Sequence, residues 1–144
     1  MEITESEVRD YIRDKTADDN PLLAGDLRYT SEEIFSAMRW AAREYNSLPP
    51  IGVSNVDPAH LPGDTNIFLD GVTAALLRTT LLRESANDIQ VQAGNVSVQV
   101  GSVQIAHLKN LIPMFDERFR TAATNVKVSI NLGNAFGSIG GTCY

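Results

Sequence analysis

Residues 29–50, "YTSEEIFSAMRWAAREYNSLPP", constrain this fold more than any other stretch, because they specify a helix that must be covered along one side. Thr30 and Glu33 stand at capping-box spacing, where hydroxyl and carboxylate satisfy the free N–H groups of a helix start. Ile34, Phe35, Met38, Ala41, Ala42 and Tyr45 then recur at helical intervals and form one apolar stripe. The helix ends near Asn46, since Pro49 and Pro50 follow and cannot continue it.

Other helices supply the cover. Thr4 and Glu7 repeat the capping box, and Val8, Tyr11 and Ile12 continue at helical spacing, so a short helix is expected from about Glu5 to Lys15. Asp18, Asp19 and Asn20 before Pro21 stop it. A third helix is expected from about Ile67 to Ser85, with Phe68, Val72, Ala75, Leu76, Thr79 and Leu82 inside. Leu69, Leu77 and Leu81 widen its apolar surface almost all round, as in a central helix or one that also faces a neighbouring subunit. A fourth runs through Ile105, Leu108, Ile112, Phe115 and Phe119, with a kink or break expected at Pro113.

Three stretches depart from the helical period. Residues 47–66 hold four prolines and no sustained pattern, so they form a long irregular loop and a candidate contact surface. Residues 88–101 alternate: with Gly94 and Asn95 as a two-residue turn, Ile89 faces Val100, Val91 faces Val98 and Ala93 faces Val96, a β-hairpin with one apolar face. Val126, Val128, Ile130 and Leu132 alternate in the same way with polar residues, the period of a half-buried strand, and a glycine-rich end carrying Phe136, Ile139 and Tyr144 follows. The expected architecture is therefore mainly α: a small bundle of about four helices over residues 1–125 with an inserted β-hairpin, then an extended C-terminal strand and docking arm over 126–144.

A strand with no internal partner completes its hydrogen bonds on an edge in another chain. Val126, Val128, Ile130, Leu132, Phe136, Ile139 and Tyr144 are accordingly candidate partner-contacting residues, as are Ile89, Val91, Val96, Val98 and Val100 of the hairpin. Charge agrees with this. The chain carries a net charge of -6, yet no carboxylate side chain follows Glu117, and uncharged stretches with a strand pattern mark edges that a partner covers. The same acidic balance opposes a surface built to grip nucleic acid phosphates. Cys143 is the only cysteine, which excludes an intramolecular disulfide and suits a reducing cytoplasm. The N-terminal residues lack the basic and apolar segments of a signal peptide, so export by the general pathway is not expected, and no apolar run is long enough to span a bilayer.

Catalytic patterns are sparse. His60 and His107 have no metal-ligand or nucleophile spacing around them, and Cys143 lies in a tail without a frame to orient a base. The glycine-rich "GSIGG" lacks the lysine of a phosphate loop, and "DKTADDN" lacks the glycine and closing glutamate of a calcium loop. No cofactor, no metal and no enzymatic activity are expected.

"EVRDYIRDK", "DNPLL" and "YTSEEIFSAMRWAAREYNSLPP" together resemble the N-terminal half of head–tail connector, or neck adaptor, proteins of tailed bacteriophages. The resemblance covers about Glu7 to Pro50 and rests most on Asn20-Pro21-Leu22-Leu23 and on Tyr45-Asn46 before Pro49-Pro50. It implies a structural virion protein, made in the host cytoplasm, that forms a ring of about twelve copies under the portal protein and joins the head to a lower neck or tail component. It further implies a C-terminal arm on the portal, passage of DNA through the ring without specific binding, and no membrane. The hairpin departs from the simplest helical members of that family. Two other readings remain open: a small intracellular protein-binding module, and a small enzyme with its site near the 47–66 loop.

Overall fold

A computed structural model describes residues 2–17, 29–63, 66–92 and 99–137. Among these residues the chain forms helices α1 (Glu5–Ala17), α2 (Ser31–Ser47), α3 (Ile67–Gln92) and α4 (Gln99–Gly137), with no β-strand beyond isolated bridges. The architecture is mainly α.

The helix starts follow from local chemistry. Thr4 Oγ1 accepts from the Glu7 N–H at 3.3 Å while the Glu7 carboxylate accepts from the Thr4 N–H at 2.7 Å, so α1 opens on a closed capping box. Thr30 and Glu33 do the same for α2, at 3.2 and 3.1 Å. Over residues 48–63 the chain is irregular, tied back where Asn46 exchanges two hydrogen bonds with the Val56 backbone and where the Ile3 N–H donates to the Leu61 carbonyl.

α3 is the central helix, buried on two sides. One side, with Phe68, Val72 and Leu76, shares a core with Val8 and Ile12 of α1, Ile34, Met38 and Tyr45 of α2, and Phe119 of α4. The other, with Ala74 and Leu77, meets Leu108, Leu111, Ile112 and Phe115 of α4. α3 and α4 approach closely at Gly71, where a Cβ would lie 2.8 Å from the Phe119 ring. Ion pairs close the seam between α2, α3 and α4, with Arg120 on Glu44 at 2.8 Å and Arg78 on Asp116 at 3.3 Å.

Several expectations are corrected. The hairpin over 88–101 does not form on its flanks: Ile89 and Val91 lie in the last turns of α3 and Val100 in the first turn of α4, while Val96, Val98 and the Gly94-Asn95 turn lie outside the described residues. A lone hairpin is marginal without further strands, and the described residues offer none. Helix satisfies those backbone groups within the segment instead. The C-terminal strand is likewise replaced by helix, because Val126 to Leu132 continue α4. Nor does Pro113 break α4, which runs on through it. Phe35, placed on the buried stripe, is 47% exposed, and Leu82 is 72% exposed where α3 passes the start of α2.

Candidate docking surface

α4 carries its last turns out of the bundle. Up to Ala123 its inward residues are buried, whereas every residue from Val128 to Ala135 is exposed. Val128, Ile130 and Leu132 stand 42, 36 and 49% exposed, and nothing lies within 4 Å of a Cβ built on Gly133. At 100° per residue, Val128 and Leu132 share one side of the helix while Val126 and Ile130 share another. Only an extended backbone would bring all four to one face.

The boundary between the packed and the bare part of α4 is Lys127. Its side chain is wholly buried, and its amine donates to the carbonyls of Leu48 at 2.9 Å and Asn46 at 3.4 Å, over the Tyr45 ring at 4.9 Å from the centroid. Those carbonyls close the C-terminal end of α2, where the helix dipole is negative and cations are favoured. No carboxylate among the described residues pairs with it, and burial lowers its amine below the ordinary lysine range. The sequence reading passed over this residue. A signal was present, since from Thr121 to Tyr144 Lys127 is the lone charged side chain.

The candidate partner residues fall into separate groups. Val126 is half-buried, and Val128, Ile130 and Leu132 are exposed on the projecting helix. Phe136 lies in the last turn of α4, whereas Ile139 and Tyr144 lie outside the described residues. Ile89, Val91 and Val100 border the connection between α3 and α4, at the other end of α4 from Lys127.

Two clefts are lined by titratable side chains. One, of about 750 Å³, lies along α4 beside Asp70, Pro113, Met114, Glu117 and Arg118. At its edge the Tyr11 hydroxyl donates to Asp70 Oδ1 at 2.5 Å; burial raises the Asp70 carboxyl, and burial together with that carboxylate raises the Tyr11 phenol above its usual range. The raised phenol keeps Tyr11 protonated as a donor to Asp70, so its hydroxyl is not a ready nucleophile. The other cleft lies beside the irregular loop, lined by Phe35, Met38, Arg39, Asp57 and His60. His60 pairs with Glu2 at 3.2 Å on open surface. The described residues contain no group of three His, Cys, Asp or Glu side chains placed to hold a metal ion, and none of their helices is long and apolar enough to cross a membrane.

No protein-family model, curated protein or solved structure matches this chain.

Proposed function

We propose that the chain is a head–tail connector of a tailed bacteriophage: a virion protein that forms a ring of about twelve copies under the portal and joins it to a lower neck or tail component. The observation that carries this reading is the bare end of α4, which presents Val128, Ile130 and Leu132 to solvent beyond a bundle whose core is already closed. Exposed apolar residues on an uncharged segment are suited to a protein contact rather than to solvent. Tyr45 and Asn46, weighed above for their family resemblance, are also the residues that seat Lys127 and pin the irregular loop.

In the docked state the segment from Val126 to Leu132 extends as a strand on a portal edge, with Phe136, Ile139 and Tyr144 as anchors. The connection between α3 and α4, carrying Ile89, Val91, Val96, Val98 and Val100, meets a neighbouring subunit or the lower component. The net charge of -6 per copy gives the ring a sign that repels DNA in transit. The chain acts through assembly, without catalysis or a cofactor.

Electron microscopy of the chain mixed with portal rings tests the reading. A ring of about twelve copies seated on the portal supports it. A monomer that ignores portal rings and forms a one-to-one complex with another protein supports the binding-module alternative.

A further inference from the structure

The end of α4 is helical against its own sequence. Val126, Val128 and Ile130 are β-branched, Ser129, Asn131 and Asn134 compete with the helix for backbone hydrogen bonds, and Gly133 is the poorest helix former after proline. The side chains from Val128 to Asn134 are all exposed, so the tertiary packing that usually overrides propensity contributes little there. What holds this stretch is upstream. The packed part of α4 supplies a template, and Lys127 fixes the last packed turn to the end of α2.

The seat itself is shallow in energy. A buried ammonium with a carboxylate partner is hard to withdraw, but Lys127 is held by two carbonyls and a ring face, while desolvation opposes its charge. Leaving the seat returns the ammonium to water and frees carbonyls at the point where the irregular loop begins.

We infer that residues 126–137 are a latched segment, kept helical in the free subunit by Lys127 on the Asn46 and Leu48 carbonyls and freed to extend when that side chain leaves. Twelve helical residues span about 18 Å, and the same residues extended span about 40 Å. Release thus roughly doubles the reach of the arm and turns Val126, Val128, Ile130 and Leu132 to one face. It also removes the clamp on the residues after Leu48, so arm and loop change together. The identity of the partner that draws the segment out rests on the connector reading; the latch does not.

Hydrogen exchange by mass spectrometry on the full chain, free in solution, tests the latch. Lys127→Ala is expected to speed exchange about tenfold at 126–137 and at the first residues after Leu48, leaving the α2–α3 core unchanged. Gly133→Ala, which meets nothing within 4 Å, is expected to slow exchange at 126–137 about fivefold and nowhere else. No change with Lys127→Ala, or equal acceleration throughout α2 and α3, overturns the latch. So does an unchanged rate with Gly133→Ala, because a segment outside a helix–extended equilibrium does not respond to helix propensity. Failure to bind portal rings leaves these readouts intact and counts against the connector reading alone.

Discussion

The Lys127 amine donates to the Leu48 carbonyl across 2.9 Å, joining the last packed turn of α4 to the end of α2. This contact divides α4 into a part packed in the bundle and a part exposed beyond it.

Truncation on either side of Lys127 therefore has different outcomes. A chain ending at Lys127 is expected to keep its unfolding free energy within about 0.5 kcal/mol of the full chain, as for changes at unpacked surface. A chain ending at Asn125 is expected to lose roughly 1–3 kcal/mol, from charge-assisted bonds to carbonyls then left without their donor. Urea unfolding followed by circular dichroism measures both.

Neighbouring residues of α2 separate buried from exposed. Met38→Ala removes a core side chain and is expected to cost about 2–5 kcal/mol. Phe35→Ala is expected to cost less than about 1 kcal/mol, because nearly half of that ring already faces water. The same unfolding assay compares the two, and equal losses would mean that the α2 stripe is wider than described.

Gly71→Ala places a methyl group against the Phe119 ring, which is wholly buried. The expected loss is about 1–3 kcal/mol, the usual range for overpacking. A phenylalanine-to-leucine change at 119 in the same chain is expected to recover part of it, read as a rise in midpoint over Gly71→Ala alone.

Tyr29 contributes to alkaline unfolding. Burial pushes its phenol up to about 12, although the hydroxyl contact with Thr80 opposes the shift. The neutral form is favoured in the folded state, so its contribution is complete below the unfolded value of about 10. Stability then falls as pH climbs through about 12, since the unfolded chain ionises first. Tyr29→Phe is expected to lessen the fall in stability above pH 10, leaving the share due to the raised Tyr11 phenol, while losing the Thr80 contact at neutral pH. A pH series of urea midpoints shows both effects.

What was legible in the sequence was local. Both capping boxes are readable because donor and acceptor lie three residues apart, and the α3 stripes are readable because a central helix is apolar nearly all round. Phe35 and Leu82 were misplaced because exposure at the edge or end of a stripe depends on where the neighbouring helix stops. The alternation from Val126 to Leu132 is present, but extending an existing helix fixes one residue per hydrogen bond gained, whereas a strand needs an edge that the described residues lack. Within the candidate surface, Val128, Ile130 and Leu132 were singled out from the pattern alone. Lys127 was not, since its role comes from Asn46 and Leu48, far back in the chain.

The most direct test of the connector account compares attachment to portal rings by the full chain and by the chain ending at Lys127, with sedimentation as the readout. The account expects the full chain to co-sediment as a ring of about twelve copies and the shortened chain, still folded, to remain in the supernatant. Equal co-sedimentation of the two would contradict it and place the docking surface on the bundle itself.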